Sequence, residues 1–480
     1  MTFASPEAGS LKRAVVWFRR DLRITDNSAL LAARRRAEQV VPVYVLSDWA
    51  GSHRWTGPNR QQFLCGCLSS LARNLAAVGG RLIIRRGSAV PELAKLVNEV
   101  GAQAIFFNRD GDPFGRRVEA DLCAFGENAR LEITGFHDGT VHEPGEVLNS
   151  SGEPFRVFTA YARAWKNLGK RKPQGRVRAL KVPEDVASLP LPTLETWGLR
   201  VEADVLEGGE KAARTRMKRF IEGGLASYGQ LRNFLAGEFT SRLSQDLRFG
   251  LLSIRELLVR CRERASQFTA PTRKNAEKFI SELIWREFYF SILWHFPEVL
   301  ETESNPKFRA MQWPGKREHF DRWCTGETGF PIVDAAMRQL AKTGFMPNRA
   351  RMIVAMFLTK DLLLDWRLGE SYFMQKLTDG EIASNNGGWQ WSAGIGADAA
   401  PYFRILNPWT QSAHCDPDGE YIQQWLPELR SIAAHRLHES PPLGERLTFD
   451  YPAPILDHAQ ARQKALQFFG QHGRAYASHV

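Results

Sequence analysis

The sequence predicts an α/β N-terminal domain joined by a long connector to an all-α domain, and three observations carry that reading. Short apolar, β-rich runs alternate with helical patterns over residues 11–140. A basic, proline-bearing stretch without sustained periodicity follows over residues 141–210. Over residues 211–475 strand signals nearly vanish and helical patterns take over.

The strand candidates are AVVWFR (14–19), VPVYVL (41–46), RLIIRR (81–86), AIFFNR (104–109) and LEITGF (131–136). Helical patterns lie between them near 27–38, 58–78, 88–100 and 113–128. Such alternation predicts a parallel sheet of five strands covered on both faces. Ligands of such sheets bind beyond the carboxyl ends of the strands. The first strand runs into RRDLRITDN, with no GxGxxG or GxxxxGK[ST], so neither a nicotinamide site nor a P-loop is supported. In the connector, Arg156 to Lys181 holds nine Lys or Arg and no acid. A solvated linker is the favoured reading, with a share in a nucleic-acid surface as the other. The helical domain is punctuated by turns such as TGETGFP (325–331) and DGEIASNNGG (379–388).

Lys plus Arg is 64 against 53 Asp plus Glu, a formal charge of +11. That balance suits a polyanionic partner without identifying one. Six cysteines with no CxxC pair and no zinc-finger spacing exclude a disulfide scaffold and give no metal site. The opening MTFASPEAGSLKR has no apolar signal core. The run Met352 to Leu358 is far shorter than the ~20 residues of a membrane helix. The expectation is a soluble, cytoplasmic protein without a membrane partner.

The chemistry concentrates in the helical domain, where nine of the 14 Trp lie between Trp285 and Trp425. In SELIWREFYF, Glu282, Trp285, Arg286 and Tyr289 fall at i, i+3, i+4 and i+7 on one helix face. That mixture suits a wall that stacks a planar ligand and bonds its edge; the alternative is an amphipathic helix with a buried Glu–Arg pair. TSRLS (240–244) suits an anion at a helix start, or a plain N-cap. FMPNRARM (345–352) brings Asn348, Arg349 and Met352 together, with Arg351 directed elsewhere toward an acid. DGEIASNNGGWQWSAG places Asp379, Asn385, Trp389 and Trp391 around a Gly-rich turn that allows close approach to a ligand.

These stretches, with VVWFRRDLRITDN, TGFPIVDAAMRQL and DAAPYFRILNP, resemble the cryptochrome/photolyase family, most closely its bacterial cyclobutane pyrimidine dimer photolyases. They run in family order from residue 14 to about 426. The resemblance implies a five-stranded parallel Rossmann-like antenna domain (11–140), the connector (141–210) and a helical FAD-binding and DNA-binding domain (211–475). It implies that Tyr228, Thr240, Ser241, Arg242, Leu243 and Ser244 hold the phosphates and ribityl chain of FAD. Asp379, Gly380 and Glu381 would lie along the flavin and adenosine, Arg351 would pair with Asp379, and Asn385 would face flavin N5.

The implied substrate is DNA containing a pyrimidine dimer, flipped out as is general for enzymes of this kind rather than shown by the sequence. Trp285 and Trp391 would pack on the dimer, Glu282 would bond its base edge, and Asn348, Arg349 and Met352 would complete the pocket. Arg232, Arg286, Tyr289 and Gln411 match positions that meet DNA, the arginines mainly at phosphate. Glu282, Asn348, Arg349 and Asn385 are the implied catalytic residues. Trp389, Trp366 and Trp313 match a tryptophan chain that re-reduces the flavin. The implied activity is light-driven dimer splitting by electron transfer from reduced FAD, by a monomer; the alternative is a cryptochrome-type photoreceptor without repair. Three departures stand out. Glu381 replaces the usual Asp, and Pro347 replaces a polar or His residue. Phe114 and Gly115 replace the Asn–Glu pair of folate-binding enzymes, which leaves a second antenna chromophore, folate or deazaflavin, open.

Overall fold

Both faces of β1 (Leu11–Phe18) are apolar: Val15 and Trp17 point to one, Ala14, Val16 and Phe18 to the other, and all are buried. A strand buried on both sides belongs in the middle of a covered parallel sheet, and β1 is the central strand. With β2 (Ala37–Leu46), β3 (Ile83–Arg86), β4 (Ala104–Asn108) and β5 (Glu132–Phe136) it forms a parallel sheet of order β3-β2-β1-β4-β5. Strand β2 begins earlier than its apolar run, because polar Gln39 still pairs with Arg13 at the sheet's lower end. The computed structural model describes residues 11–51, 53, 55–442 and 444–475, and most of the N-terminal stretch read for a signal lies outside them.

Helices Ser28–Arg36, Pro58–Ala76, Ala89–Val100 and Pro113–Ala129 alternate with the strands. Leu93, Leu96, Val97, Val100 and Leu122 close one sheet face over Val15, Trp17, Val43 and Ile105. The core on the other face runs unbroken from Val16 and Phe18 through Phe63 and Leu71 to Leu257, Phe279 and Ile284 of the helical body. One continuous core of that kind fixes the two domains against each other, since separating them would expose buried apolar surface.

The connector is not a solvated linker. Its helix Phe158–Asn167 buries Tyr161, Ala162 and Trp165. The Glu287 carboxylate accepts from the Val141 and His142 N–H groups at 2.7 and 3.1 Å, and from Trp165 Nε1 at 2.7 Å. Further on, Leu180 N–H donates to Val78 at 2.7 Å and Val40 N–H to Lys181 at 2.8 Å, so the chain wraps along the α/β domain. The basic run is partly spent internally: Arg171 pairs with Glu143 and Glu146 at 2.8 and 3.0 Å. The sequence reading missed this because the apolar face of one ten-residue helix is too short to outweigh the surrounding charge.

The helical body is organised by Ala270–His295, which spans 26 residues. Helices Pro331–Thr343, Asn348–Met356, Trp366–Lys376 and Ile382–Ala393 form a second core, and His458–Ala475 closes it through Phe469. Among the described residues, no helix is long and apolar enough to cross a membrane, and no group of three His, Cys, Asp or Glu could hold a metal ion.

Candidate cofactor and substrate cavity

A cavity of about 530 Å³ opens in the helical body. That is a volume suited to a sizeable small-molecule ligand. Its wall contains Tyr228, the whole segment Thr240–Ser244, Asp379, Gly380, Glu381 and Asn385 on one side. Glu282, Trp285, Arg286, Tyr289, Asn348, Met352 and Trp391 lie in the same wall. Residues from five separate stretches of sequence thus meet in one space.

Thr240–Leu243 approach the short helix Ser244–Arg248 without a side-chain N-cap, because Leu243 occupies the capping position. The plain N-cap reading therefore fails, and the hydroxyls of Thr240 and Ser241 border the cavity instead. Arg242 is held at φ +52°, with its guanidinium 3.8 Å over the Phe345 ring. Its Nε is buried without a hydrogen-bond partner. An orphaned buried cation donor beside two hydroxyls fits a phosphate group of a ligand.

Across the cavity, Arg351 pairs with Asp379 at 2.8 Å and is itself fixed by Nε donating to the Met346 carbonyl at 2.8 Å. Arg248 Nε donates to the Gly380 carbonyl at 3.0 Å, and a Cβ on Gly380 would collide with the Arg60 guanidinium. A larger residue there would have to displace the Arg60 guanidinium. The Glu381 carboxylate is ion-paired with Arg20, which follows β1, and Arg20 also holds Asp110, which follows β4, at 2.7 Å. Strands β1 and β4 flank the point where the sheet order reverses, the usual ligand crevice of such sheets. Here ion pairs close that crevice against the helical body. Burial pushes the Glu381 carboxyl up, but Arg20, Arg248 and Arg286 outweigh it and hold the group below its ordinary range. Burial, reinforced by Arg248, brings Arg60 down to about 9.

Asn385 Nδ2 donates to the Glu370 carbonyl at 3.1 Å. A carbonyl only accepts, so this bond fixes the amide and leaves Oδ1 as the acceptor for a donor in the cavity.

At the substrate side, Glu282 is ion-paired with Arg232 and lies 3.3 Å from Lys278. Tyr289 sits 5.6 Å from Trp285, and Gly387 leaves room for its ring. Arg286 lines the cavity wall and also reaches toward the other domain. Its Nη1 donates to the Gly139 carbonyl at 2.6 Å and its guanidinium stacks on Phe290 at 4.6 Å, so it also meets the domain junction. Burial lowers it to about 10. Arg349 and Gln411 lie off the cavity wall: Arg349 bonds Asn233 Oδ1 at 3.1 Å and reaches Gln411 at 3.5 Å.

Trp389 lines the cavity and is buried. Trp366 is fully buried in the same core, its Nε1 donating to Glu303 at 3.2 Å, and Trp313 packs against that core beside Phe468 and Phe469. Gly369 faces the Trp389 indole so closely that any Cβ would strike it. Arg20, Arg60, Arg248, Phe345 and Lys278 were not singled out from sequence. For Arg20 a signal existed: it ends the first strand, where sheet ligands are expected. Gly115 explains the altered antenna motif, since a Cβ there would lie 2.6 Å from Asp110 Cβ. The Glu of the folate-binding pattern does not fit at that place.

Fold and site together define a two-domain protein that encloses a phosphate-bearing, planar ligand inside a helical body. The sequence comparisons place that class. Family models for DNA photolyase and for the FAD binding domain of DNA photolyase match residues 14–182 and 279–471. A deoxyribodipyrimidine photo-lyase of Synechococcus is 37% identical over 93% of this chain and 94% of its own. Among solved structures, a bacterial class III photolyase from Agrobacterium tumefaciens superposes with a TM-score of 0.89 at 35% identity, covering 99% of this chain and 100% of its own. A Synechocystis cryptochrome gives 0.86 at 29% identity, covering 95% and 99%. The chain belongs to the DNA photolyase family.

Proposed function

We propose that this protein repairs cyclobutane pyrimidine dimers in DNA under light, using FAD. The observation that carries the reading is the single cavity whose wall joins the anion-facing segment Thr240–Ser244 to the intact set Glu282, Trp285, Asn348, Met352 and Trp391. Both halves of the chemistry, a cofactor and a flat lesion, then share one space.

When bound, reduced FAD would lend the light-driven electron that splits the cyclobutane ring and would take it back once the ring is open. The residues of this chain do the rest. Arg242, Thr240, Ser241 and Ser244 hold the phosphates and ribityl chain, with Tyr228 beside them. The Arg351–Asp379 pair and the Gly380–Glu381 backbone shape the flavin side, and Asn385 Oδ1 accepts a proton donor there. Trp285 and Trp391 pack on the flipped dimer and exclude water. Glu282 leaves its cationic partners to bond the base edge, which frees Arg232 and Lys278 for phosphate. Asn348 and Met352 complete the mouth and Tyr289 borders it, while Arg349 and Gln411, off the wall, meet the DNA beside it. Trp389, Trp366 and Trp313 would relay an electron from an external reductant to an oxidised cofactor.

A cryptochrome photoreceptor would share the fold, so fold likeness does not discriminate; the intact lesion wall favours repair. Free thiols at all six cysteines suit a reducing cytoplasm, where we take the protein to act as a monomer. The test is repair of dimer-containing DNA by the photoreduced, FAD-loaded protein under blue light, run beside a (6-4) photoproduct. Loss of dimers from the first substrate alone is expected. Binding without repair would leave the photoreceptor reading standing.

A further inference from the structure

Phe158 begins the connector helix Phe158–Asn167 and lies behind the cavity wall. Its ring is face to face with the Trp285 indole, centroids 3.6 Å apart and planes within 6°. Free aromatic pairs prefer offset or edge-to-face packing, so the surroundings impose this sandwich. Phe288 meets both rings edge-on, at 5.9 and 5.7 Å. The Asp398 carboxyl lies close to the Phe158 N–H. Asp398 sits at φ +47° in the loop that follows the Trp391 helix. Further along the connector helix, Trp165 is tied at 2.7 Å to Glu287, two residues beyond Trp285. The connector is thus held against the Trp285 helix both at the stack and at Trp165, and its first turn lies close to the loop that follows the Trp391 helix.

We infer that Phe158 is a positioning residue for the lesion: it fixes the plane of Trp285 so that the cavity side of the indole meets the apolar face of the dimer. The inference rests on the reading of Trp285 as a wall for the flipped dimer. Phe158 touches neither the cavity nor the cofactor side, so its contribution is to dimer affinity and not to the yield per absorbed photon. A segment that the sequence offers as linker then takes part in substrate recognition.

The experiment compares wild type, Phe158→Leu, Phe158→Tyr and Trp285→Leu as full-length, FAD-loaded proteins. Dark binding is measured to an oligonucleotide with one thymine dimer and to its undamaged twin, with repair under saturating DNA. Phe158→Leu is expected to weaken dimer binding about two- to tenfold, the worth of one aromatic pair. Undamaged-DNA binding, FAD content and saturated repair should stay at wild-type level, and Phe158→Tyr should restore dimer affinity. Equal dimer affinity in Phe158→Leu and wild type, where Trp285→Leu loses it, overturns the role of Phe158. Full discrimination in Trp285→Leu would instead overturn the underlying reading of the wall. Should Phe158→Leu fold poorly, Asp398→Ala removes the acceptor beside the same turn and must show the same selective loss.

Discussion

Arg20 at the end of the central strand and Glu381 in the cavity wall form an ion pair across the junction of the two domains. It joins the place where a parallel sheet usually binds ligands to the loop that shapes the cofactor cavity. The sequence resemblance implies an Asp at this position, and the longer Glu381 side chain reaches Arg20.

Removing Arg20 would strip a partner from two buried carboxylates, Glu381 and Asp110. Breaking a buried pair from one side costs about 3–5 kcal/mol. Arg20→Ala is expected to lower unfolding stability by that order and to release FAD more readily, as read by denaturation and flavin absorbance. Glu381→Asp keeps the charge but loses the reach, and should fall between the two.

The Trp389 indole fills the space that Gly369 leaves. Trp389→Phe should slow photoreduction of the flavin at least tenfold while repair by pre-reduced protein stays near wild type. Gly369→Ala should disturb the same step by displacing the indole. Time-resolved absorbance of the flavin under blue light reads both.

With Arg232 and Lys278 held by Glu282, the mouth of the cavity carries less free positive charge than the sequence suggests. Glu282→Gln releases both cations. Affinity for undamaged DNA should rise a few-fold at low salt, while repair falls about tenfold. Replacing Arg232 by Ala should flatten the salt dependence of binding by about 0.9 in log–log slope, one phosphate's worth on duplex DNA.

Burial raises the Glu287 carboxyl from 4.5 to about 7, against the pull of the Val141 N–H and the Trp165 indole. A folded value above the unfolded one means that the native state holds the proton longer. The stability this brings is fully present below pH ~4.5 and is lost as pH rises through about 7, up to about 3 kcal/mol in all. Glu287→Gln removes that slope. The difference in melting temperature between variant and wild type, followed from pH 4.5 to 8, is therefore expected to change steadily across this window and level off above it.

Local pattern alone was enough for the alternating strands and helices, because each is written in a run of its own residues. The same holds for Glu282, Trp285 and Tyr289, which one helical repeat places on a single face, and for the Thr240–Ser244 segment, whose hydroxyls and arginine are contiguous. Tertiary structure alone decided that Arg286, on that same face, also reaches the domain junction, since the Gly139 carbonyl that it meets is 147 residues away. It also decided that Arg20 meets Glu381, that Arg349 and Gln411 stand off the cavity wall, and that the connector packs through Phe158 and Glu287. Each of these is a contact between elements, set by how two packed surfaces satisfy buried charge and apolar area together, and no period or motif within one element encodes where its partner will lie.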